Sequence, residues 1–189
     1  ADLVRAKVAA RLTPLTRRFI EASPFVALAT SGADGSCDVS PRGDPAGFVR
    51  ILDDATLLLP ERPGNRLADS LRNILANPRV ALLFLIPGAP DSFRVDGRAA
   101  ITDDPVLLAP SAVEGRAPRL GILVDVEHAY TQCGKAVLRS RLWDPALFLD
   151  PASLPTGGEI HGERCGPSFD VAAHDAARRK RYEGREGFY

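Results

Sequence analysis

Few side chains in this sequence have both the type and the company to do chemistry, and arginines recur among them. The stretch Leu57-Leu-Leu-Pro-Glu-Arg-Pro-Gly-Asn-Arg66 runs from an apolar segment through a Gly-containing turn into a helical pattern. Asn65 and Arg66 fall in the first turn of that helix, where free backbone N–H groups and a guanidinium together hold a phosphate well. A plainer account competes, in which Asn65 caps the helix and Arg66 pairs on the surface with Glu61 or Asp69. In Asp38-Val-Ser-Pro-Arg-Gly-Asp-Pro45, Ser40 and Arg42 leave a strand for a loop that can border a ligand, with Arg42 suited to a ring carbonyl or a phosphate. The alternative there is a connecting loop of solvated charges. Further on, Lys135 and Arg139 stand four residues apart on one helical face, just before Trp143, the only tryptophan. That trio suits an anionic ligand or a ring to stack on, although a tryptophan equally serves to anchor a helix end.

Other patterns carry less. Glu159, His161, Glu163 and Cys165 alternate as metal ligands would on an extended segment, but strand spacing puts successive alternates about 7 Å apart, too far for four to reach one ion. No metal site is expected. Arg178-Arg-Lys-Arg181 is a basic run closely followed by Glu183 and Glu186, the mark of a solvated helix. Neither a Gly-x-Ser-x-Gly elbow nor a Gly-x-Gly-x-x-Gly turn is present, and His128, His161 and His174 are scattered. No residue stands out as a catalytic acid, base or nucleophile.

The elements that must position these residues are mostly short strands. Apolar residues at helical spacing over 3–22 predict two helical pieces divided at Pro14. Strands are expected at 25–30, 36–40, 48–52, 56–59, 80–86, 93–101 and 122–128, with 41–47 a loop because of its two prolines and two glycines. A helix is expected over 66–76, a short one at 105–109, another over 133–142 and a polar one near 171–182. Many short antiparallel strands with helices at the margins fit a small barrel better than a doubly wound sheet.

Composition narrows the function. The 189 residues suit one core with a terminal extension, and 24 basic residues balance 24 acidic ones, which leaves no positive field for a nucleic-acid backbone. Three cysteines without paired spacing fit a reducing compartment, so a cytoplasmic protein is expected. No apolar run approaches the roughly 20 residues needed to span a bilayer, so no membrane partner is expected.

Taken in order, Phe25-Val-Ala-Leu-Ala-Thr30, Asp38-Val-Ser-Pro-Arg-Gly-Asp44, Thr56-Leu-Leu-Leu59, Gly64-Asn-Arg66, Asn77-Pro-Arg-Val80 and Arg94-Val-Asp-Gly97 resemble the FMN-binding split-barrel proteins related to pyridoxamine 5′-phosphate oxidase. The likeness covers about Phe19 to Asp144. Within that family it is strongest to a bacterial subgroup of FMN-binding proteins, whose signature resembles Lys135-Ala136, Arg139-Ser140 and Leu142-Trp-Asp-Pro145. The resemblance implies a mainly β fold with peripheral helices and a split β-barrel, taken over 1–150 with an N-terminal helix; the rise in Gly and Pro beyond Pro151 marks a C-terminal extension over 151–189, expected to pack on the barrel. It implies FMN at the interface of a homodimer: phosphate at Asn65 and Arg66, flavin bordered by Ser40 and Arg42 and approached by Ser92 and Arg94, and Lys135, Arg139 and Trp143 acting on the partner's cofactor. It implies a flavin-dependent oxidoreductase of unknown substrate. The family's true pyridoxamine-phosphate oxidases carry a C-terminal arginine- and histidine-containing segment, which Arg185-Glu-Gly-Phe-Tyr189 does not match, so that activity is not expected. Rival readings are a same-fold binder of deazaflavin or haem, and a non-catalytic flavin-sensing dimer.

Overall fold

The computed structural model describes residues 7–64 and 67–189. Helix α1 spans Pro14–Ala22 and starts where chemistry dictates, with Thr13 and Thr16 forming a reciprocal capping box and Pro14 at the first helical position. The first of the two predicted helical pieces does not extend over its described part. Residues 7–13 run irregularly, Ala9 bridges Ala129 of the sheet through two backbone hydrogen bonds of 3.1 and 2.8 Å, and the Leu12 N–H donates to Asp54. Sheet partners thus satisfy backbone groups that a helix broken by Pro14 would have left open.

Seven strands follow: β1 Phe25–Ser31, β2 Cys37–Gly43, β3 Arg50–Ile51, β4 Thr56–Glu61, β5 Arg79–Leu85, β6 Ser92–Thr102 and β7 Leu120–Gln132. They form one antiparallel sheet in the order β2-β1-β5-β6-β7-β4-β3. The predicted strands are all present, but β2 continues through Pro41 and Arg42, which were expected in a loop. β2 is an edge strand, and an edge tolerates a residue without an N–H.

Alternate residues of these strands, among them Val26, Leu28, Leu82, Phe84, Phe93, Val95, Ile122, Val124, Leu57 and Leu59, meet in one buried cluster. Strands at opposite ends of the sheet order therefore share one interior, which requires the sheet to curl. Side chains carry the closure: Arg42 of β2 is ion-paired with Glu61 of β4, and Arg62 just beyond β4 donates from Nε to Asp44 just beyond β2 at 2.6 Å. The fold is a split β-barrel with peripheral helices, its split lying between β2 and β4. Opposite Asp96 and Gly97 a bulge at Glu127 bends β7, and only glycine fits at position 97, because a Cβ would lie 2.0 Å from the Asp125 carbonyl oxygen.

Helix α2 (Asp69–Ala76) packs on β1, β2 and β6, and α3 (Pro105–Leu108) and α4 (Lys135–Ser140) are short. The chain divides into two compact units, Ala1–Trp143 and Asp144–Tyr189. The second unit contains α5 (Gly157–Cys165) and α6 (Val171–Glu183). α5 replaces the extended segment considered for Glu159 to Cys165, and on a helix those alternates point to different sides. Among the described residues no group of three or more His, Cys, Asp or Glu side chains is arranged to hold a metal, and no helix is long and apolar enough to cross a membrane.

Candidate functional site

Strand alternation decides what β2 offers. Asp38, Ser40 and Arg42 pair with Thr30, Leu28 and Val26, and these are the positions of β1 that face the interior. Three polar side chains therefore line the inner surface at the split. Arg42 donates from Nε to the Ser40 hydroxyl at 3.0 Å and from Nη1 to Glu61. Ser70 on the first turn of α2 donates to Asp38 at 3.0 Å, and Asn73, one turn on, donates to Thr30 at 3.0 Å. The Arg42 and Glu61 side chains keep only 16% and 21% of their exposure, so the pair sits at the rim of the interior. Two of the five guanidinium N–H groups are engaged by these described partners, which leaves donors of a planar fork for a ligand.

Ser40 and Arg42 are thus brought together, as the sequence leads one to expect. Asn65 and Arg66 lie outside the described residues; in the chain they connect the Glu61 end of β4 to α2, which begins at Asp69 rather than at Arg66. Glu61, Asp38 and Ser70 join the site without having been singled out for it. The i, i+2, i+4 spacing of Asp38, Ser40 and Arg42 was a usable signal for one strand face, masked by Pro41.

A second group assembles elsewhere. Ser92 opens β6, is buried and pairs with Gln132 at the end of β7. Gly134, just before α4, packs so closely on Pro90 that a Cβ there would lie 2.7 Å from the Pro90 Cβ. Trp143 is half-buried and donates from Nε1 to the Ala89 carbonyl at 2.9 Å. The anchoring role weighed for Trp143 is therefore real, and it pins α4 against the β5–β6 turn with Lys135 and Arg139 exposed. Arg94 points away from the interior, since its neighbours Phe93 and Val95 are core residues; it reaches Asp96 at 3.2 Å and lies 5.2 Å above the Tyr130 ring. Within one chain the second group is separated from Arg42 by the sheet itself and by three strand spacings, about 14 Å.

A recess of about 140 Å³ lies between the 44–50 segment and Pro110–Val113, with Arg50 and Arg62 in its wall. It belongs to the outer side of β3 and β4, because Arg50 pairs with Leu58 while Leu57, Leu59 and the Arg42-bound Glu61 face inward. The recess and the Arg42 group are on different faces.

A family model described as pyridoxamine 5′-phosphate oxidase matches residues 12–133 of the chain. No curated protein matches the sequence. Among solved structures, HupZ of Group A Streptococcus is similar over 65% of this chain and 94% of its own, with 18% identity and a TM-score of 0.53. A candidate pyridoxamine 5′-phosphate oxidase of Lactobacillus delbrueckii is similar over 65% of this chain and 95% of its own, with 23% identity and a TM-score of 0.50. At these identities the two structures bear on the fold alone.

Proposed function

The chain belongs to the pyridoxamine 5′-phosphate oxidase family, and on that premise we propose that it is an FMN-binding flavoprotein, a homodimer working as a flavin-dependent oxidoreductase in the reducing environment of the cytoplasm. The observation that carries the reading is the polar group at the barrel split. Arg42 is oriented by Ser40 and Glu61 and retains donors for a ligand, and Glu61 precedes Asn65 by four residues in the chain. A guanidinium and neighbouring hydroxyls are donors of the kind that a phosphate ester with a polar tail needs. Bound FMN would supply hydride or single-electron transfer, and the residues of this chain would supply placement.

The split of the candidate residues into two groups favours the dimer. Ser92 and Trp143 lie about three strand spacings from Arg42 within one chain, and a two-fold-related copy can present its second group to the first. Three exposed free thiols fit a reducing compartment.

The experiment is a visible spectrum of the purified protein, with oxidised-flavin bands expected near roughly 370 and 450 nm if the cofactor carries the chemistry. A colourless protein that also takes up no added FMN sinks the reading.

A further inference from the structure

The charge around Arg42 is unusual for a site that receives an anion. Arg42 is ion-paired with Glu61, so its guanidinium is charge-compensated before any ligand arrives. Arg62 and Asp44 answer each other at 2.6 Å, and Asp38 takes the Ser70 hydroxyl. Glu61 alone holds a carboxylate directly on Arg42. An incoming phosphate meets a guanidinium already neutralised by this chain, with the neutralising carboxylate still in place.

We infer that Glu61 is the internal counter-ion of Arg42 and sets how strongly the site discriminates an anionic ligand from its uncharged analogue. The inference rests on the flavin reading above. A phosphate reaching Arg42 either displaces the Glu61 carboxylate or lies within a few ångströms of it, and at the rim of a protein interior such like-charge proximity costs about a factor of ten in affinity. Removing the charge of Glu61 while keeping its shape leaves Arg42 uncompensated, and an external anion then supplies the missing charge. An uncharged ligand has nothing to gain from the same change. Glu61 is in this sense a specificity-determining residue that acts through Arg42.

The test compares FMN with riboflavin, which lacks the phosphate, by fluorescence titration of the full-length apoprotein in the wild type, Glu61→Gln, Arg42→Ala and the double variant. Glu61→Gln is expected to tighten FMN about tenfold and to leave riboflavin within about twofold of the wild type. In the Arg42→Ala background the gain is expected to vanish, because the two residues act as one unit. Weaker FMN binding in Glu61→Gln, equal tightening of both ligands, or a gain that survives without Arg42 each overturns the inference and leaves the flavin reading standing. A wild type that binds neither ligand removes the flavin reading, and this inference with it. Glu61→Ala, which carries the same charge change in a smaller side chain, must show the same sign, and circular dichroism of each variant checks that the barrel is intact.

Discussion

Ser111 carries a buried hydroxyl with no hydrogen-bond partner among the described residues, although its backbone carbonyl accepts from Arg62 Nη2 at 2.7 Å. A buried hydroxyl without a partner costs desolvation and returns nothing, so Ser111→Ala is expected to leave stability unchanged or raise it by up to about 1 kcal/mol. Urea denaturation measures this, and a loss of more than about 1 kcal/mol would mean that the hydroxyl has a partner. Ser111 and Arg42 mark how far single residues could be read in advance. Ser40 and Arg42 were legible as a hydroxyl and a guanidinium in company, but the strand face they share was not, because Pro41 read as a loop breaker. Their partner Glu61 was not, because β2 and β4 meet only when the barrel curls, and no local period reports a contact nineteen residues away. Arg94 was named only through the family resemblance, and its register beside the core residues Phe93 and Val95 turns it outward.

At the level of elements the strands were readable because burial on one side leaves alternation in the sequence, as in Phe93 to Ile101. Pro41 hid the end of β2, since a breaker on an edge strand looks the same in sequence as a breaker in a loop. α5 was hidden by Gly157, Gly158 and Gly162, yet Thr156-Gly-Gly-Glu159 spells the capping box that starts it. Gly158 lets the Asp175 carboxylate come close, since a Cβ would lie 2.6 Å from its Oδ1, the oxygen that accepts the Gly158 N–H at 2.8 Å, and the carboxylate would have to give way. The Thr156 side chain first, with the Gly158 N–H and His174 adding to it, holds the Asp175 carboxyl below the ordinary 3.8 against the pull of desolvation. A carboxyl depressed in the folded state stabilises it fully above the unfolded value and loses that contribution as pH falls through the folded one. The α5–α6 pairing should therefore loosen only below 3.8. The Gly158 amide resonance is expected to titrate with a midpoint below 3.8 in the wild type and to lose that step in Asp175→Asn. A midpoint at or above 3.8 refutes the assignment.

Part of the barrel's outer surface is apolar. Across β2, β1 and β5 the outward positions run Val39–Ala29–Ala81 and Pro41–Ala27–Leu83, with Phe25 and Leu85 in the next row. Val39 is 66% exposed and the small or branched residues beside it are only half-buried. A continuous apolar face of this kind suits association with a second chain. If the proposed dimer uses it, the two-fold copy covers these rows and carries its Trp143 group toward the Arg42 group of the first chain. Leu83→Asp places a charge in the middle of that face without touching the interior, where Leu82 and Phe84 point. The wild type is expected to sediment at twice the chain mass of 20.2 kDa and Leu83→Asp at the chain mass itself, with unchanged circular dichroism. FMN affinity should fall together with the dimer, because a site built from two chains cannot outlast their separation. A Leu83→Asp protein that remains dimeric rules out this face as the interface. One that becomes monomeric and still binds FMN like the wild type would show that Arg42 and its neighbours hold the cofactor unaided.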